Sequence, residues 1–121
     1  MYLPPSFRLD PSLRARLVAE HPLATLIRVV GGEPVTASAP LYLDGDALVG
    51  HLARANPFVD VLDGAAVLAV FHGPDAYVSP TWYGDPAAHV PTWNYVTAEA
   101  RGVASVVAPD AVLDAMVAAH E

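Results

Sequence analysis

The run GHLARANP, residues 50–57, places an imidazole (His51), a guanidinium (Arg54) and a carboxamide (Asn56) close together in the chain. Anion binding is the chemistry they could do. An arginine's planar fork suits two phosphate oxygens at once. Asn56 is a good helix cap and Pro57 suits the first helical position, so free backbone N–H groups should point out beside the guanidinium. The other use of Arg54 is an ion pair with one of the chain's 13 carboxylates. Asn56 caps a helix on either reading. His51 follows Gly50, a residue that lets another backbone or a ligand approach closely. It reads as a ligand contact or as a core histidine bonded to a carbonyl.

Two aromatic stretches follow, FHGPDAYVSPTWY (71–83) and VPTWNY (90–95). Trp82, Tyr83, Trp93 and Tyr95 could be core or interface aromatics, since large rings dominate both settings. Set among prolines and the polar Ser79, Thr81, Thr92 and Asn94, they read instead as the wall of a pocket for a flat ring system attached to a phosphate. Hydroxyl and backbone groups would meet the polar edge of such a ring. Ser79 has no His and Asp partners in a triad-like arrangement, which argues against nucleophilic catalysis. His21, His72, His89 and His120 form no metal-spaced set. His72, before Gly73 and Pro74, reads as part of a turn. The absence of cysteine excludes disulfides and thiolate chemistry, and the absence of lysine excludes Schiff bases and a phosphate-loop lysine.

These groups need elements to position them. Asp10 as cap, Pro11 and the spacing of Leu13, Leu17 and Val18 predict an amphipathic helix over 11–20. LATLIRVV (23–30) and VTASAPLYL (35–43) flank Gly31, Gly32, Glu33 and Pro34 and read as a hairpin. Asp44, Gly45 and Asp46 then turn the chain into a third antiparallel strand, ALVGHL (47–52). After a turn of helix at 57–63, the apolar run 65–73 predicts a strand buried on both faces. Pro74, Pro80, Pro86 and Pro91 predict short extended pieces and a long loop over 74–92. A long strand (92–107) and a terminal helix (109–121) complete the reading. The expected fold class is mainly β with an N-terminal and a C-terminal helix, in one domain spanning 1–121.

No apolar run approaches the roughly 18 residues that cross a bilayer, and the first residues lack the pattern of a signal peptide, so a cytoplasmic protein is expected. The net charge is −7, with six arginines scattered at 8, 14, 16, 28, 54 and 101. Direct nucleic-acid binding requires a basic face that this pattern does not supply, and Arg14 and Arg16 read as the solvated side of a helix. With 54% hydrophobic residues in so small a unit, a homodimer would cover the apolar surplus.

The strings ARANP (53–57), GPDAYVSPTWY (73–83) and VPTWNY (90–95), with MYLPPSF (1–7) and EHPLATL (20–26), resemble the PaiB family, FMN-binding negative transcriptional regulators. The resemblance runs in order along nearly the whole chain. It implies a flavin-reductase-like split β-barrel, a homodimer, and FMN near the subunit interface. It also implies that family members continue beyond Glu121 into further strands. The FMN-binding residues expected on this basis are His51, Leu52, Ala53, Arg54, Ala55 and Asn56, then Tyr77, Ser79, Trp82 and Tyr83, then Thr92, Trp93 and Asn94. Three functions stand open: a regulator that senses redox state or a flavin-linked metabolite, a flavin-dependent reductase or oxidase, and a shortened dimerising protein without flavin. The residues do not decide whether the protein is an enzyme.

Overall fold

The computed structural model describes residues 1–107. The predicted terminal helix, 109–121, lies outside them.

Helix α1, Pro11–Glu20, starts where its capping chemistry places it. The Asp10 carboxylate accepts from the Leu13 N–H at 3.0 Å and from the Ser12 hydroxyl at 2.6 Å, with proline in the first turn. Those bonds hold the Asp10 carboxyl below its usual pKa, the Ser12 hydroxyl contributing most. Leu17 and Val18 are buried. Leu13, expected on the same side, is 44% exposed, so the packed stripe is narrower than its spacing suggests. Arg16 pairs with Glu20 at 2.7 Å on the solvated side.

Five strands follow: β1 (Leu23–Val30), β2 (Glu33–Asp44), β3 (Ala47–Gly50), β4 (Ala66–Val78) and β5 (Thr92–Val103). They form one antiparallel sheet in the order β3-β2-β1-β4-β5. The β1–β2 hairpin closes through Gly31 and Gly32, whose φ angles of 57° and 84° require residues without a side chain. One sheet face carries the core: Ala24 and Leu26 of β1, Ala37, Ala39 and Leu41 of β2, and Ala69 and Phe71 of β4. Val18 of α1 and Phe58 from the 3-10 helix Pro57–Val61 close over it. The alanines leave the depth that lets these elements sit close to the sheet. Gly73 does the same at the helix: a Cβ there would lie 2.5 Å from a Leu17 methyl.

The structure corrects the strand readings in three places. β4 does not end at Gly73 but runs to Val78, so 74–78 is strand and not loop. The ladder with β5 shifts register between His72 and Asp75, and Pro74 sits in that bulge, where no ladder hydrogen bond is asked of it. His72 accordingly lies in the strand, paired with Thr97. Secondly, β4 is not buried on both faces: Ala69 and Phe71 are buried while Leu68 and Val70 are half-exposed, because α1 and the 57–61 turn cover only the core face. Thirdly, β3 stops at Gly50, leaving His51 and Leu52 in the following loop. A Cβ on Gly50 would collide with the Leu41 side chain and sit 2.6 Å from the Pro40 carbonyl, so the close approach expected at this glycine is made by β2.

Candidate functional site

Residues 51–56 leave the β3 flank of the sheet as an exposed loop closed by the Asn56 N–H donating to the Ala53 carbonyl at 2.8 Å. Asn56 also caps the 3-10 helix through its side-chain oxygen, which accepts from the Phe58 N–H at 3.0 Å. The cap locks the turn and drives Phe58, 4% exposed, into the core. Arg54 is exposed and forms no ion pair or hydrogen bond among the described residues. The intramolecular ion pair considered for it is therefore not made there, and the guanidinium is available to an outside anion. His51 is likewise exposed rather than a core histidine, and Leu52 packs against the core edge. Ala53 and Ala55 are exposed and keep the loop slim.

The aromatic residues lie on the other flank. Beyond the end of β1 at Leu23, β4 and β5 continue as a two-stranded arm, in which Tyr77 faces Trp93, Ala76 faces Asn94 and Val78 faces Thr92. The Tyr77 and Trp93 rings meet at 5.8 Å with planes inclined by 54°. Ser79 starts the 3-10 turn Pro80–Trp82, its hydroxyl accepting from the Thr81 N–H at 3.3 Å. Tyr83 stacks on His89 at 4.3 Å, bridging the tip of the arm. Trp82 is 70% exposed and Trp93 57%, and Tyr77, Tyr83 and Tyr95 are also open. These rings are not packed interior.

No hydrogen bond or ring contact joins loop 51–56 to the arm among the described residues. The expected site residues therefore form two groups, separated in the sheet order by β2 and β1. A third feature was not expected from the sequence. An apolar recess of about 440 Å³ lies between the β1–β2 hairpin and the 3-10 helix, lined by Val30, Val35, Thr36, Asn56, Pro57, Phe58 and Val61. Beside it the Arg28 guanidinium donates to the Val61 carbonyl. A lone arginine inside a strand whose neighbours are Ile27 and Val29 was the available signal for it.

An unpaired arginine on a capped loop and a projecting aromatic ribbon suit a cofactor with a phosphate at one end and a flat ring at the other. Two solved structures share the fold. The chain matches the FAD and heme binding protein of Mycobacterium smegmatis at TM-score 0.73 and 25% identity, over 92% of this chain and 52% of that one. It matches the flavocytochrome Anf3 of Azotobacter vinelandii at TM-score 0.74 and 17% identity, over 98% and 56%. The fold is that of the flavin-binding split β-barrels.

Residues 1–121 match the family model described as "Putative FMN-binding domain". The chain belongs to this family of FMN-binding proteins, in its PaiB branch, and its cofactor is a flavin. It is 32% identical over 116 residues to the protease synthase and sporulation protein PAI 2 of Bacillus subtilis, covering 91% of this chain and 55% of that protein. It is also 30% identical to an uncharacterized protein of Emericella nidulans, covering 75% and 50%. The chain thus spans about half the length of the curated relatives it matches. Among the described residues no helix is long and apolar enough to cross a membrane.

Proposed function

We propose that the protein is a cytoplasmic homodimer in which FMN reports redox state or flavin supply to a regulatory partner. The observation that carries the cofactor part is Arg54, a solvent-facing cation without a counter-charge among the described residues, beside the Asn56 turn. Arg54 takes the FMN phosphate, with His51 and the slim 53–55 segment beside it. Tyr77, Trp82, Tyr83, Trp93 and the polar groups of Ser79, Thr92 and Asn94 border the ring. Loop 51–56 and the arm belong to opposite flanks of one sheet, so in this reading the arm that covers a flavin held at Arg54 is contributed by a second copy. Regulation works through a protein contact rather than direct DNA binding, since a net charge of −7 opposes approach to a polyanion.

A second reading, a flavin-dependent oxidoreductase, is favoured by the likeness to the Mycobacterium smegmatis protein, which is named for two redox cofactors. A bound flavin supplies electron-transfer chemistry, and the protein's contribution is to position and shield it. Turnover of a reduced nicotinamide would favour this reading over the first.

The test of the phosphate assignment compares FMN with riboflavin, which lacks the phosphate, by fluorescence titration of the wild type and Arg54→Ala. Losing a charge-assisted pair should weaken FMN binding by roughly 2 to 4 kcal/mol and riboflavin binding far less. Equal losses for the two ligands would make Arg54 structural. A wild type that binds neither would leave a dimerising protein without flavin. Sedimentation of the same samples at micromolar concentration should show about twice the monomer mass.

A further inference from the structure

Beside the recess at the 57–61 turn lies a cation the flavin reading does not use. Arg28 lies on the core face of β1, two residues beyond the buried Leu26, and is half-buried. Its cross-strand partner is Val35, and among the described residues its acceptor is the carbonyl of Val61. Both of those residues line the recess. No carboxylate pairs with Arg28 among the described residues, although the chain carries more than twice as many acidic as basic side chains. The nearby acids are placed elsewhere: Asp63 accepts from the Val106 N–H at 2.9 Å, while Glu33 and Asp60 are exposed at the hairpin end and on the turn, and neither forms an ion pair.

Clamping the turn to the sheet occupies one of several guanidinium N–H donors. A hydrogen bond to a neutral carbonyl needs no arginine, and a half-buried cation bonded to the wall of an apolar cavity keeps donors for a charge-assisted pair with an anion. The cavity beside it has the volume of a small-molecule site, with mostly apolar walls and few polar groups.

We propose that this recess is a second ligand site, for a small organic carboxylate whose apolar body fills the space between Val30, Val35, Phe58 and Val61 while its carboxylate meets Arg28. The site is distinct from the flavin phosphate at Arg54, which does not line the recess, although Asn56 of the same turn does. A metabolite bound there would brace the 57–61 turn, and with it the Asn56 cap that ends the flavin loop. This gives a metabolite a physical route to the loop.

The experiment is a ¹H–¹⁵N correlation titration with benzoate and with benzamide, its uncharged counterpart of nearly equal shape. Benzoate should shift the amide signals of Val30, Val35, Thr36 and Phe58, and benzamide should bind roughly ten-fold more weakly, because it cannot form the charge-assisted pair. Arg28→Gln should bring the two probes to equal affinity. Arg54→Ala should leave benzoate binding unchanged. If Arg28→Gln does not fold, Thr36→Trp keeps the arginine and fills the recess, and should abolish the shifts from both probes. Equal binding of the two probes by the wild type, or no binding of benzoate, would overturn the proposal. So would benzoate binding that keeps its wild-type affinity in Arg28→Gln, or persists in Thr36→Trp. Displacement of benzoate by riboflavin would overturn the separate site and put the flavin ring in the recess.

Discussion

The centre of the sheet and the β4–β5 arm are built from the same two kinds of residue and end up as opposites. At the centre, small alanines on β1, β2 and β4 surround one large ring, Phe71, that is 1% exposed. In the arm the proportion is inverted: large rings sit on a ribbon that, among the described residues, has no strand on its outer side and no helix above it, and Trp82 and Trp93 stay mostly in solvent. Hydrophobicity alone does not separate the two regions. The number of neighbouring elements does, since a ring is buried only where something stands on each side of it. An isolated two-stranded ribbon is marginal in water. The arm therefore holds apolar surface that the single chain does not use, and at the centre such surface stabilises the fold.

The largest expected effect tests that division directly. Phe71→Ala should destabilise the protein by about 3 to 5 kcal/mol in urea unfolding, through lost burial and a cavity the alanine-lined sheet cannot collapse around. Trp82→Ala, which removes a larger ring, should change the stability of the monomer by no more than about 0.5 kcal/mol. If the two cost the same, the arm is packed in solution and the contrast fails.

The sheet centre was legible in the sequence for a physical reason. Period-two patterning, glycine turns at 31–32 and 45, and the Asp10–Pro11 helix start are local signals, and α1, β1, β2 and the 57–61 turn stand where those signals put them. The arm was read less well because its strand property is not local. Pro74 argues against a strand by every single-residue rule, and only pairing with the distant 92–97 segment makes the bulge that accommodates it. The Arg54 loop was visible as a motif, but its lack of a protein counter-charge could not be known before the fold. The Arg28 recess was invisible, since its walls come from 30, 35–36 and 56–61, segments that only tertiary structure brings together.

A smaller effect sharpens the account of the arm itself. A double-mutant cycle on Tyr77→Ala and Trp93→Ala should give a coupling of about 0.5 to 1.5 kcal/mol, the range for a tilted aromatic pair. Measured at low and again at high protein concentration, the coupling should persist, because both rings belong to one chain. A coupling that vanishes on dilution would mean that the pair is assembled only by a second copy.

The smallest effect lies at the helix start and concerns acid. The Asp10 carboxyl is held below its ordinary pKa by hydrogen bonds it accepts, so its contribution is present above the unfolded carboxylate range and is lost as pH falls through the lowered folded value. Asp10→Asn keeps a capping oxygen but does not titrate. The stability advantage of wild type over Asp10→Asn should therefore shrink as pH is lowered through and below the ordinary carboxylate range. An advantage that grows on acidification would reverse the sign and remove the capping explanation.

The extra residue in β4 acts on the arm as a frame shift acts on a message. Along a strand, side chains alternate between two faces, and a reader who counts from Phe71 arrives at Tyr77 after an even number of steps, expecting the core face. The partner strand, from Ala98 to Trp93, takes an odd number. The inserted position at 73–74 absorbs the difference, and the pairs Asp75–Tyr95 and Tyr77–Trp93 are displayed on the side away from Phe71, with Ala76–Asn94 and Val78–Thr92 on the other. Substitutions in the arm alter one letter at a time, whereas loss of Pro74 would turn Tyr77 to the other face and break its match with Trp93. Pro74→Ala should therefore leave the tryptophan fluorescence close to that of the wild type, and deletion of residue 74 should shift it strongly. Which face of the arm shows the Tyr77–Trp93 pair rests on a count of residues more than on their identities.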